Sequence, residues 1–339
     1  MPGAGPNAGL RGRPSLRDVA RRAGVSAGCA SNVLNRRRAR DDAIGLRVVE
    51  AAEALGYRAD AVAATLRRAT SRLVGVVLPD FENPFFGALL SALEREAAAT
   101  GHRITAASTR DDPAAEAREI EALLDWRPAG LIVVPSGSSR PAAFARAGLP
   151  VVVADRVGGA HGTDEVGADG EGAAREVVAR LAALGHGHVL IAVSDPSAPN
   201  IAERLAGAGA AARAGSVALE TLCCGLSVES ADRAFARRLA AAPAPRAVFA
   251  LTNLAALAAW SALARRGLLP GRDLAMVGFD DAAWMAHMHP PVAAVAQPVE
   301  AIARRAWARL TGRIAGEAGP PASERVPCRL LARGTLVPP

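Results

Sequence analysis

Ser15 and Asp18 stand three residues apart at the head of an apolar run. At that spacing a capping hydroxyl and a reciprocal carboxylate satisfy two orphan amides of a helix. Asp18 also places negative charge at the positive end of that helix. Val19, Ala20 and Ala23 supply an apolar face, and Gly24 provides the left-handed residue that stops the helix. Ser26 then caps a second helix, whose buried side carries Val33 and Leu34. Two short helices joined by a tight glycine turn read as a helix-turn-helix, the unit whose second helix enters the DNA major groove. The competing reading is an ordinary helical hairpin in a core, and charge decides between them. Residues 1–72 hold fourteen Arg against six Asp and Glu, a local net of +8, whereas the whole chain is +7. The remaining 267 residues are therefore near −1, and the positive excess is confined to the segment with the two helices. That is the footprint of a phosphate-binding module attached to a near-neutral partner.

Other candidate chemistries are weaker. His186 and His188, in GHGH, are two metal-type ligands without a neighbouring carboxylate or thiol, and a turn before a strand accounts for them better. The run from Gly207 through Gly209 to Ala212 mimics a dinucleotide fingerprint. The true motif follows a strand and opens a helix, whereas this run sits inside an expected helix and reads as small-residue packing. Cys29, Cys223, Cys224 and Cys328 have no metal-ligand spacing, and the adjacent pair reads as buried small apolar residues. No serine elbow or nucleophile–base pair is supported by context. No catalytic residue, metal or cofactor is therefore expected, and an enzyme is not the reading.

These residues need elements to position them. A chain of 339 residues, half of them apolar, accommodates a small head and a large folded body. No apolar run is long enough to span a bilayer, and MPGAGPNAGLRGRP lacks a signal-peptide core, so no membrane association is expected and the cytoplasm is the expected compartment. Residues 1–14 read as a disordered basic arm, either a solvated tail or a strand for a minor groove. Residues 15–58 form the helix-turn-helix head, closed by a third amphipathic helix over 46–56. Residues 59–72 form a linker with a short Ala-rich helix.

From Leu73 the pattern changes. Short continuous apolar runs at 73–79, 130–135, 150–154, 188–194, 247–251 and 274–279 alternate with helical stretches. That alternation predicts an α/β body of parallel sheets covered on both faces. Some 265 residues are more than one open sheet accommodates, so two sheets are expected. Ligands in such folds bind outside the carboxyl ends of the strands, which places the loops after Pro79, Ala154, Ser194, Leu251 and Phe279 around a cleft.

From Ser15 to about Thr335 the chain resembles the lactose-repressor/purine-repressor (LacI-type) family of transcription regulators. The matching pieces, in order, are LRDVARRAGVS, VLN, VVEAAEALGYR, LVGVVLPD, NPFF, DWRPAGLIVVPSG, LPVVVADR, LAALGH, ERLAG, AVFA, VGFDDAAW and PPVAAVAQP. The resemblance implies a homodimer whose head binds a palindromic double-stranded operator. It also implies a body like periplasmic sugar-binding proteins, with two subdomains, three crossovers and a small effector in the cleft. On that pattern the first subdomain spans about 73–167 and 297–318, and the second about 168–296 and 319–335. The effector implied is a carbohydrate or nucleoside-like molecule, and repression is the implied action.

The resemblance also carries residues. Ala27, Gly28 and Asn32 match the base-reading positions of the second helix, where the family more often has Pro, Ala and Arg. An Asn there suits a bidentate contact to adenine, and an Arg suits guanine. Ser15, Ser26, Ser31 and Asn35 match cap and phosphate positions. The segment from Tyr57 to Arg68 matches a hinge helix, with Ala63 and Leu66 at its minor-groove positions and Leu66 as the wedge. In the cleft, Phe85 and Phe86 match effector-facing aromatics, Phe85 being the ring expected to face the ligand. Asp155, Arg204 and Asp280 match charged positions that meet effector hydroxyls. Asn253 stands where the family usually has Asp, an exchange expected to alter effector choice. Trp284 either covers the ligand or packs at an interface, and Gln297 matches a crossover position near the cleft. Two other readings remain open: a solute-binding protein of a sugar transporter, which the basic head disfavours, and a family member with degenerate DNA reading.

The charge asymmetry sets a first expectation. If about six phosphates per dimer are neutralised, log affinity for DNA falls against log salt with a slope near −5. A fluorescence-anisotropy titration across salt measures it, and a slope near zero would rule out the head as the phosphate binder.

Overall fold

A computed structural model describes residues 14–34, 41–57, 71–136, 144, 147–158 and 162–339. Asn35, Ala63 and Leu66, with residues 1–13 of the expected arm, lie outside them. The chain divides into two compact units between Ser71 and Arg72.

The head consists of α1 (Leu16–Ala23), α2 (Ala27–Leu34) and α3 (Ala43–Ala54). The capping box forms as the sequence predicts: Asp18 N donates to Ser15 Oγ at 3.4 Å, and Ser15 N donates to Asp18 Oδ2 at 2.9 Å. Gly24 has φ of 66° and ends α1. Ser26 Oγ accepts from Cys29 N at 3.1 Å and starts α2. The third helix begins three residues before its expected start, because Asp42 caps it through Gly45 N at 2.6 Å. Tyr57 packs against the head core of Val19, Ala20, Ala23, Ala30, Val33, Val48, Ala51 and Ala52, and residues 58–68 of the expected hinge helix lie outside the described residues.

The body holds two six-stranded sheets. The first is ordered β11-β5-β4-β3-β1-β2 and is parallel throughout. Its strands are β1 (Leu73–Leu78), β2 (Arg103–Ser108), β3 (Gly130–Val133), β4 (Val151–Ala154), β5 (Asp164–Ala168) and β11 (Ser323–Val326). Helices α4 (Pro84–Ala99), α5 (Pro113–Leu124) and α11 (Val299–Ile314) accompany it. The second is ordered β12-β10-β9-β8-β6-β7 and is parallel except for the β10–β12 pair. It comprises β6 (His188–Val193), β7 (Ala218–Cys223), β8 (Ala247–Ala250), β9 (Ala275–Phe279), β10 (Ala293–Ala296) and β12 (Arg329–Leu331). Its helices are α6 (Gly170–Ala183), α7 (Pro199–Gly215), α8 (Val228–Ala241), α9 (Asn253–Ala264) and α10 (Ala283–His287). The long apolar runs form central strands buried on both faces, as continuous Val, Ile and Leu patterning dictates.

One expected boundary is corrected. The resemblance places residues 319–335 wholly in the second subdomain, yet β11 pairs with β5 in the first sheet, with Ser323 opposite Glu165 and Val326 opposite Ala168. The chain crosses back only at Pro327 and Cys328. SERV carries no apolar run, so its strand is fixed by tertiary partners. Neighbouring β5 is equally unmarked, because it begins with the buried acids Asp164 and Glu165. Arg313 Nε donates to Asp164 Oδ2 at 2.7 Å and Ala322 N to Oδ1 at 2.9 Å. Burial alone would raise the Asp164 pKa, but those hydrogen bonds and the guanidinium charge hold it below the usual carboxylate range.

The glycine-rich run in α7 also receives its account. A Cβ on Gly207 would lie 2.0 Å from the Glu171 carbonyl oxygen in α6, whereas one on Gly209 would meet only the Arg213 side chain at 3.4 Å. Gly207 lets α6 and α7 approach backbone to backbone, and this packing fixes the helix that bears Arg204. Gly207→Ala is expected to cost about 2–3 kcal/mol by overpacking. Gly209→Ala is expected to be neutral or to stabilise by up to about 1 kcal/mol through helix propensity. Urea unfolding of both variants checks the contrast, and equal effects would refute the close-approach account.

Candidate functional site

In the head, α2 separates its residues cleanly. Ala30 and Val33 are buried, whereas Ala27, Gly28 and Asn32 are exposed and Ser31 is half-buried beside them. Four of the positions matched to DNA contact thus share one outward side of the second helix. The hydroxyls of Ser15 and Ser26 are engaged in the two caps. A Cβ at Gly28 would find only Ser26 Oγ, at 3.9 Å, so the glycine relieves no clash within the head. It leaves the middle of this surface as bare backbone, with Asn32 as the amide that projects from it.

In the body, the charged positions gather where strands end. Asp155 follows β4, Asp280 follows β9, Asn253 opens α9 after β8, Gln297 follows β10, and Asn83 caps α4 after β1. Asp155 and Asp280 adopt left-handed backbone with φ of 60° and 78°. For non-glycine residues such conformations persist only where surrounding contacts enforce them.

Asp280 is closely held. Gln297 Nε2 donates to its Oδ1 at 2.6 Å, and Asn253 donates to Oδ2 through Nδ2 at 2.8 Å and its backbone N at 3.2 Å. Asn253 Nδ2 also donates to Asn83 Oδ1 at 3.0 Å, and that oxygen in turn accepts from Phe85 N at 3.0 Å. Arg204 is buried; its Nη1 donates to the Leu251 carbonyl at 2.6 Å, and its guanidinium lies 3.7 Å from the centre of the Phe279 ring. Asp155 is also buried and accepts from Asn200 Nδ2 at 3.3 Å. Burial pushes the Asp155 pKa up to about 6; Arg204 and Arg156 pull it down, and Asp280 and Glu203 push it up. Arg156 pairs with Asp111 and donates to the Pro135 carbonyl at 3.0 Å. Three buried atoms among these side chains have no hydrogen-bond partner: Arg156 Nε, Arg204 Nε and Gln297 Oε1.

The structure therefore brings together Asp155, Arg204, Asn253, Asp280 and Gln297. It does not present an aromatic floor from Phe85 and Phe86. Both rings are buried in the core of the first half, edge to face with centroids 5.3 Å apart. The ring that meets the charged cluster is Phe279. Trp284 packs against the core of the second half. Asn83, Asn200 and Phe279 were missed. Asn83 before Pro84 is legible as a helix cap, but its second contact joins two distant segments and leaves no local signal.

The remaining candidates have structural explanations. His186 is buried with Nε2 2.8 Å from the Val337 carbonyl oxygen, and His188 faces Glu220 at 3.5 Å. Among the described residues no group of three His, Cys, Asp or Glu is placed to hold a metal, and no helix is long and apolar enough to cross a membrane. The cysteine pair is not uniformly buried as expected. Cys224 is buried, but Cys223 ends the edge strand β7 with its side chain exposed.

Comparison with known proteins places this geometry. Residues 15–60 match the family described as bacterial regulatory proteins, lacI family, and residues 178–336 match the periplasmic binding protein-like domain. The HTH-type transcriptional regulator PtxS of Pseudomonas plecoglossicida is 31% identical over 332 residues, covering 96% of both chains. The lac repressor dimer bound to operator and the anti-inducer ONPF superposes with a TM-score of 0.83 at 24% identity, over 96% of this chain and 100% of that one. The transcriptional regulator CelR in its cellobiose complex gives 0.71 at 26% identity, over 95% and 100%.

Asp155 makes the body pH-dependent. Its folded pKa lies above the unfolded value, so its stabilising effect is complete at low pH and is lost as pH rises from about 4 through about 6. Asp155→Asn removes this loss. In urea unfolding without ligand, the stability gain of the variant over the parent is expected to be about 2 kcal/mol larger at pH 7.5 than at pH 4.5. A difference that does not change with pH would show that Asp155 is not buried in its ionised form.

Proposed function

The chain belongs to the LacI family of bacterial regulatory proteins, and on that premise we propose that it is a repressor whose operator affinity is set by a neutral hydroxylated ring held between the halves of its body. The observation that carries the effector class is that buried, unpartnered atoms of both kinds meet at the cleft, donors on Arg204 and Arg156 and an acceptor on Gln297. Each unmatched group costs roughly 1–3 kcal/mol, and a hydroxyl, which donates and accepts at once, relieves both kinds. A carbohydrate or a nucleoside-like compound offers several hydroxyls on one rigid ring. The cellobiose complex of CelR supports the carbohydrate reading. Asp155 and Asp280 surround Arg204 with negative charge, which disfavours an anionic ligand.

In the head, Ala27, Gly28, Ser31 and Asn32 face the operator, with Asn32 as the base-reading amide and adenine as its partner. Two heads in a homodimer fit a palindromic site. Action on chromosomal DNA places the protein in the cytoplasm. The effector alters DNA affinity only as far as it prefers one arrangement of the two halves.

A thermal-shift screen of neutral sugars and nucleosides identifies the ligand class. The first ligand found is expected to bind Arg204→Ala and Asp280→Asn about tenfold or more weakly than the parent, since each loses charge-assisted hydrogen bonds. Effector-free operator binding by Arg204→Ala is expected to stay within about threefold of the parent. Calorimetry showing unchanged affinity in both variants would refute the assignment.

A further inference from the structure

Asn253 opens α9 with an amide set against the Asp280 carboxylate, and the structure gives that amide a physical consequence. The orientation of its amide is forced. The Phe85 N–H only donates, so the Asn83 atom that meets it is the carbonyl oxygen. Asp280 is a carboxylate and only accepts. The Asn253 group lying 2.8 Å from Asp280 Oδ2 and 3.0 Å from Asn83 Oδ1 is therefore the NH2, with both protons committed. Thr252 takes over the helix cap through Ala255 N at 3.2 Å, which frees the Asn253 side chain for this work.

Asn83 belongs to the first half of the body and Asn253 to the second, so the bond spans the cleft. We propose that Asn253 and Asn83 form a built-in strut that holds the two halves closed without effector, with Asn253 as the positioning residue. Two further ties lie alongside it. Arg325 of β11 donates to Glu203 of α7 at 2.6 Å, and Asn200 reaches Asp155. Both partners of the Arg325–Glu203 pair are partly exposed, so that pair contributes little by itself. Asn253 is buried and Asn83 half-buried, so their bond is less exposed than that pair. An aspartate at 253 has no proton to give. It would set an oxygen against two acceptors and push the halves apart. The resting body is thus closed, and an effector enters by breaking the strut. This deepens the cleft reading above and rests on it for the entry step alone, because the closed state needs no ligand.

Cys328 supplies the readout. It lies at the third crossing, packs against the cores of both halves, and is buried enough that its thiol is pushed up to about 12. Cys224 is buried within the core of the second half alone, and Cys223 is exposed. The effector-free full chain is labelled with iodoacetamide, and the rate at each cysteine is read by peptide mass spectrometry. Asn253→Asp is expected to label at Cys328 about tenfold faster than the parent, a factor set by one lost buried hydrogen bond and a new repulsion. Asn83→Ser keeps a helix cap but is too short to reach Asn253, and a several-fold increase is expected. The double variant is expected to match Asn83→Ser, since both changes break one bond and the repulsion between the halves needs the Asn83 oxygen. Cys224 is expected to keep its parental rate throughout. The strut is overturned if Cys328 labels at the parental rate in either single variant. It is equally overturned if Cys224 accelerates in step with Cys328, which reports unfolding of the half and not opening. Neither result depends on the ligand, so a failed effector screen leaves this test intact.

Discussion

The cleft depends on a carboxylate that has been given almost all the donors it can accept. Asp280 leaves the end of a fully buried strand with left-handed backbone and takes three hydrogen bonds from two other segments of the chain. A charge partly withdrawn from water needs a partner or fixed dipoles in place of its lost hydration. Here the fixed dipoles are the Asn253 amide and backbone, at the start of α9, and the Gln297 amide. Meeting the demands of one carboxylate therefore fixes the β8–α9 loop and the β10–α11 crossing against β9. Asp155, on the opposing sheet, is treated differently. It has one weak amide contact, and burial leaves its pKa near 6. One acid is held by three hydrogen bonds and the other by a single one, with the Arg204 guanidinium electrostatically coupled to the second.

The same residues lie at or beside the crossings between the halves. Asp169, at the first crossing, caps α6 by accepting from Gly172 N at 2.8 Å. Gln297 sits at the second, and Cys328 at the third. A ligand that touches Gln297 touches a segment that joins the halves, and one that touches Asp280 touches its hydrogen-bond partner. Coupling of ligand binding to the geometry of the halves thus needs no long relay. The proposed ligand site and the crossings share side chains, and a preference for one arrangement would be enough to shift the population.

The head reaches its fold with less material. Its buried core is built wholly from Val and Ala, so caps weigh heavily in it. Ser15, Ser26 and Asp42 each satisfy an orphan amide that so small a core would otherwise leave to water. The outward side of α2 is left nearly free of side chains, which makes Asn32 its main polar projection.

The caps, the glycine stop and the alternating apolar runs were legible because each is a local signal, set by residues within one turn or one strand. The amino-acid sequence by itself determined the helix-turn-helix, the α/β body, the central strands and the positions of Asp155 and Asp280 at strand ends; Arg204 lies in the second turn of α7 and not at its start. It did not determine the strands SERV and DEVGA. Their polar residues carry no apolar period, and their pairing depends on an edge and an Arg313 supplied from far along the chain. Nor did it determine that Phe85 would enter the core while Phe279 met Arg204, because two rings in NPFF and one in VGFDD carry equal local weight. The joining of Asn83 to Asn253 was decided by tertiary structure alone. Sequence reveals an amide at each place, but only the fold brings two helix starts 170 residues apart to hydrogen-bond distance.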